Sequence, residues 1–121
     1  MKIKIPGINA EKGLELCDGD LGTFVQSLRL YITNLPKALK NMQNVSESTL
    51  HDYFINAHTA KSISGYVGAE EVIQTAKQLE AMAKSGDLSG VLAQNEAFLK
   101  TAENLVDNIR EWLENYDALS R

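Results

Sequence analysis

The sequence predicts an all-α fold: an up-down-up-down four-helix bundle with a short additional N-terminal helix. Apolar residues recur at three- and four-residue spacing through four long stretches, and turn or cap residues separate those stretches. Strand signals are weak beyond a short Ile3–Ile5 alternation.

The elements follow in order. A short opening helix covers about residues 10–17, with Asn9 as its N-cap. Gly19 punctuates, and Asp20 can cap a second helix bearing Leu21, Phe24, Val25, Leu28, Tyr31, Ile32, Leu35, Leu39 and Met42 on one stripe. Pro36 falls inside that stripe, where loss of a backbone donor predicts a kink or a local opening. The third helix runs from about 47 to 66, capped by Ser46 and ended by Gly68. The fourth carries Ala69, Val72, Ile73, Ala76, Leu79 and Ala83 on one face. Ser85-Gly86-Asp87 is a stop-and-restart signal, with Gly86 suited to a left-handed position and Asp87 to the next cap. The last helix, about 88–117, buries a stripe that includes Leu88, Val91, Leu92, Phe98, Leu99, Ala102, Leu105, Val106, Ile109, Trp112, Leu113 and Tyr116.

A chain of 121 residues, 44% of them hydrophobic, suffices for one domain, expected over 1–121, with its own core. Its formal charge of −4, with lysines and acids interspersed, argues against a nucleic-acid-binding surface. A single cysteine, Cys17, excludes an internal disulfide and a multi-cysteine zinc site, and reads as a small core filler. Neither a signal-peptide pattern nor a membrane-length apolar run is present, so a cytoplasmic protein without membrane contact is expected.

The third helix carries the chemistry. Advancing about 100° per residue from His58 groups Leu50, Tyr53, Ala57, Ala60, Ser64 and Val67 into a buried stripe and leaves His58 facing solvent. Sharing its exposed face are Phe54, Ile55, Lys61, Ser62 and Gly65, with His51 two turns earlier. Exposed imidazole is a nucleophile near neutral pH, and Lys61, three residues on, can donate charge-assisted hydrogen bonds to phosphoryl oxygens. Phe54 and Ile55, with Gly65 and Gly68 keeping the surface low, suggest a docking site for a partner.

The run His58-Thr59-Ala60-Lys61-Ser62-Ile63-Ser64-Gly65-Tyr66-Val67-Gly68-Ala69 resembles the signature of histidine phosphotransfer (HPt) domains: His-x-x-Lys-Gly, several small or apolar residues, then Gly-Ala. Leu79-Glu80 and Gly86-Asp87 are similar to the family's downstream pairs, and Ile5-Pro6-Gly7-Ile8-Asn9, Gly13-Leu14 and Gly19-Asp20 to its opening segment. The resemblance implies a stand-alone phosphorelay carrier. His58 would take a phosphoryl group, on its outer ring nitrogen, from a receiver-domain aspartate and pass it to another receiver. Lys61 would hold the phosphoryl oxygens. The partners implied are receiver domains of response regulators or hybrid histidine kinases. No autokinase activity and no cofactor of the chain's own are expected, the receiver supplying Mg2+, and a monomer is expected. One position departs from the signature: Ser62 stands where the family has glycine, and its hydroxyl can donate to the ring or to a phosphoryl oxygen, or narrow a receiver's approach. The alternative is therefore a non-catalytic docking module that binds receivers without transfer.

Other residues have simpler explanations. His51 lies about 10 Å along the helix from His58, too far to share a metal, and no metal site is expected. Trp112 and Tyr116 are spaced for burial. Glu70, Glu71, Asp107 and Glu111 fall on solvated faces rather than pairing as acid and base in a cleft.

Overall fold

The computed structural model describes residues 3–120, and every regular element among them is helical. The helices are α1 (Ala10–Leu16), α2 (Leu21–Lys40), α3 (Leu50–Gly65), α4 (Glu70–Lys84) and α5 (Leu88–Leu119), with a 3-10 turn at Glu47–Thr49. The Ile3–Ile5 alternation forms no strand; Ile5 instead enters the helical core.

The caps lie where polar side chains can satisfy the first free backbone donors. Asn9 accepts from the Lys12 amide (3.1 Å), Asp20 from that of Gly22 (3.2 Å) and Asp87 from that of Gly90 (2.9 Å). Ser46 and Thr49 form a capping box around the 3-10 turn. That box splits the helix expected over 47–66: the α-helical part begins only at Leu50. Pro36 does not break α2, which runs unbroken to Lys40.

α2 packs on α3 and α5, and α4 packs on the same two, closing a four-sided bundle; α1 lies against α2. Phe24, Leu28, Leu35, Met42, Leu79, Phe98 and Ile109 fill a single contiguous core. The stripe expected on α5 is corrected at Leu92, which is 56% exposed: its direction points off the core that Val91 and Asn95 enter. Cys17 is half-buried against the core, as are Trp112 and Tyr116, whose rings stack at 5.3 Å.

With 32 residues against 15 in α4, α5 outruns its neighbour by about 25 Å. Other segments cover the surplus. Asn108 donates to the Pro6 carbonyl (3.3 Å), and Arg29 of α2 makes a two-pronged contact with Asp117, 2.6 and 3.3 Å.

Two buried polar links set the rotation of α3. The Tyr53 hydroxyl donates to Asn95 Oδ1 on α5 (2.7 Å), and the Asn95 amide donates onward to the Met42 carbonyl (2.8 Å). The Tyr31 and Ser64 hydroxyls share a hydrogen bond of 2.7 Å between α2 and α3. Burial pushes the Tyr31 hydroxyl up to about 12 and that of Tyr53 up as well, so both stay protonated. With Tyr53 and Ser64 tied inward, the opposite edge of α3 must face water.

Candidate functional site

That outer edge carries His58, whose side chain is 56% exposed. Leu50, Tyr53, Ala57, Ala60, Ser64 and Val67 are all buried, so the helical phase read from the sequence is the phase of the fold. The imidazole does not stand alone. Its Nδ1 lies 3.2 Å from Oε1 of Glu80 on α4, and Oε2 of the same carboxylate lies 2.7 Å from Lys61 Nζ. One carboxylate therefore bridges the two residues that spacing had already put side by side.

Glu80 was missed as a site residue, being read only as part of a Leu-Glu pair. Its side chain is 17% exposed. Burial alone would raise its carboxyl pKa, but the hydrogen bonds and charges of Lys61 and His58 outweigh that and hold it below the usual value of 4.5. Glu80 is thus ionised at neutral pH. Lys61 is less free than expected, its side chain 29% exposed and drawn toward α4.

An ionised carboxylate accepts and does not donate, so its contact with a neutral imidazole requires the proton on Nδ1. The lone pair then sits on Nε2, on the far side of the ring. This is the arrangement in which a ring nitrogen is oriented and made more nucleophilic by a carboxylate behind it.

The Ser62 hydroxyl donates to the His58 carbonyl (2.9 Å), a contact within the helix rather than with the ring. Ile55 is exposed, and the space above Gly65 is open. Two docking expectations need correction. Phe54 is not free: it is half-buried against the core and stacks on His51 with ring centroids 6.3 Å apart, because α4 packs closely along that edge of α3. Gly68 is buried and takes φ +74°, with the Asn9 carbonyl occupying the place a side chain would fill. Asn9 also donates its backbone amide to the Gly68 carbonyl (2.8 Å), so Gly68 forms the α3–α4 turn and no partner surface.

The sequence did not point to the other flank of the site. Leu30 of α2 and Tyr66 after α3 are 63% and 68% exposed. They border a groove of about 300 Å3 with Ser27, Tyr31, Asn34 and Ile63. Exposure of Leu30 follows from its place between the buried positions Leu28 and Tyr31 on the stripe, a signal available from periodicity.

No cluster of metal-ligating side chains occurs among the described residues, and no helix there is long and apolar enough to cross a membrane. No curated protein and no solved structure gives a significant match to the chain. The family model described as Hpt domain matches residues 21–112, about three quarters of the sequence, covering α2, α3, α4 and most of α5 and including His58, Lys61 and Glu80. The chain belongs to the Hpt domain family, whose members are phosphoryl carriers in phosphorelay signalling rather than enzymes.

Proposed function

We propose that the protein accepts a phosphoryl group on Nε2 of His58 from the aspartyl phosphate of one receiver domain and delivers it to an aspartate of another. The observation that carries this reading is the exposed imidazole backed through Nδ1 by an ionised Glu80 at 3.2 Å. In the forward step the Nε2 lone pair attacks phosphorus, the N–P bond forms and the P–O bond to the receiver breaks. The released electron pair leaves with the receiver's carboxylate. The Nδ1 proton stays where Glu80 holds it. Lys61, at the same carboxylate, stands ready to neutralise phosphoryl oxygens. Ser62 is a modifier of the same surface, its hydroxyl free to turn from the His58 carbonyl to an incoming oxygen. The chain needs no nucleotide site for this role; the receiver brings Mg2+ and its acidic pocket.

The receiver lies over His58, Ile55, Gly65 and the groove beside Leu30 and Tyr66. Tyr66 is eight residues beyond His58, about 12 Å along the helix axis. An interface of ordinary size, about 800 Å2 per partner, has a radius of about 16 Å and so covers both. The apolar contact area is on the α2 side, whereas the α4 side presents Lys61, Lys77 and Lys84.

Peptide mass spectrometry after incubation with phosphoramidate, kept alkaline throughout, tests the reactive atom. A single phosphoryl group on His58 and none on His51 is expected. Equal labelling of both histidines, or none, would favour a module that docks receivers without transfer.

A further inference from the structure

The carboxylate of Glu80 has a second consequence once a phosphoryl group is in place. Phosphorylation of a neutral imidazole at Nε2 leaves a ring that still carries its Nδ1 proton, and is therefore cationic until that proton is lost. With the proton kept, the later leaving group is neutral imidazole. With the proton gone, it is an imidazolate, a far poorer leaving group. Whatever holds the proton on Nδ1 thus sets how readily the phosphoryl group departs.

Glu80 is placed to do that. Its Oε1 is 3.2 Å from Nδ1, its side chain is only 17% exposed, and it is already ionised at neutral pH. We infer that Glu80 is a positioning residue that keeps phospho-His58 protonated on Nδ1 and thereby keeps its phosphoryl group transferable. This rests on the carrier reading of His58.

The transfer out balances without any added proton. An incoming receiver carboxylate attacks phosphorus, the new P–O bond forms, the P–N bond breaks, and its electron pair returns to Nε2. The ring leaves neutral, with Nδ1–H still donating to Glu80. The charged groups acting on Glu80 are His58 and Lys61 of α3. Lys77 and Lys84 are exposed on α4, one turn before and after it. His51, two turns before His58, is stacked on Phe54. Lys61 opposes the effect, since a cation at Oε2 draws on the same negative charge. Only a carboxylate has charge enough to serve both partners; a neutral amide at this position would hold the ring without favouring its cation.

The test compares wild type with Glu80→Gln, which preserves shape and a hydrogen-bonding carbonyl while removing the charge. Both are phosphorylated with phosphoramidate, freed of the donor, and followed by intact mass as the phosphoryl group is lost to water. At pH 7 the variant should hold its phosphoryl group longer, on the order of fivefold, the difference expected between a charged and a neutral hydrogen-bond partner. In strong alkali, where both rings have lost the proton, the two lifetimes should converge. A merely structural role for Glu80 would change both lifetimes alike, so an equal ratio at both pH values would overturn the inference. So would equal lifetimes at pH 7. A wild type that takes no phosphoryl group on His58 would overturn the carrier reading itself, and a phosphorylated wild type that decays like the variant overturns the inference alone. Circular dichroism melts of both proteins, expected to be alike at pH 7 within a few degrees, guard against reading an unfolded variant as a slow one.

Discussion

The inward and outward edges of α3 use polar side chains in opposite ways. Inward, Tyr53 and Ser64 each have one fixed partner, on α5 and α2, and their hydrogen bonds are closed off from water. Outward, His58 and Lys61 share one partner, Glu80, and the ring keeps its second nitrogen uncommitted. The inner hydrogen bonds are buried, so no incoming group can reach the atoms they join. The outer contact leaves capacity over, and a nucleophile is what remains. Stability and the proposed chemistry therefore reside in different residues of the same sixteen-residue helix.

The difference can be broken from the inside first. Asn95→Ala strands the Tyr53 hydroxyl and the Met42 carbonyl together, each a buried group that costs about 1–3 kcal/mol when left unpaired. Urea unfolding should register a loss of about 3 kcal/mol, with phosphoramidate labelling of the folded fraction unchanged. His58→Gln should do the reverse: labelling vanishes while the unfolding free energy moves by less than about 0.5 kcal/mol, as at other exposed positions. If His58→Gln unfolded the bundle, the separation of the two edges would be wrong.

Docking is the next effect in size. Leu30→Asp and Tyr66→Asp each bury a charge under the proposed receiver footprint and should weaken its affinity about tenfold in calorimetric titration. Phe54→Leu, by contrast, should mainly cost stability, because Phe54 is packed rather than offered.

The smallest effect is a pH dependence. Glu80 has its carboxyl lowered in the folded protein, so its contribution is complete above the ordinary value of 4.5 and is lost as pH falls below it. Stability measured from pH 6 downward should decline below pH 4.5, and less so in Glu80→Gln.

How far the sequence reached can be seen at particular residues. The rotation of α3 was legible because small and apolar residues at three- and four-residue spacing leave His58 one way to face. Caps at Asn9, Asp20 and Asp87 were legible because a side chain and its target amide are neighbours in the chain. Glu80 was not, because its partners are 22 and 19 residues away and meet it only through the register of α3 against α4. The same register explains Phe54: periodicity placed it near the exposed edge, but how far α4 wraps over that edge is a property of the packed pair. Gly68 misled because a low surface and a turn both call for glycine. Only the position of the Asn9 backbone above it distinguishes them.

His58 is proposed to carry a phosphoryl group between receivers. The most direct measurement mixes the protein with a receiver domain previously phosphorylated by acetyl phosphate and cleared of that donor, and follows both proteins by intact mass. The receiver should lose one phosphoryl mass as the protein gains one, the gain should map to His58, and His58→Gln should gain none. A receiver that binds yet keeps its phosphoryl group, alike with wild type and His58→Gln across a panel of receivers, would contradict that role.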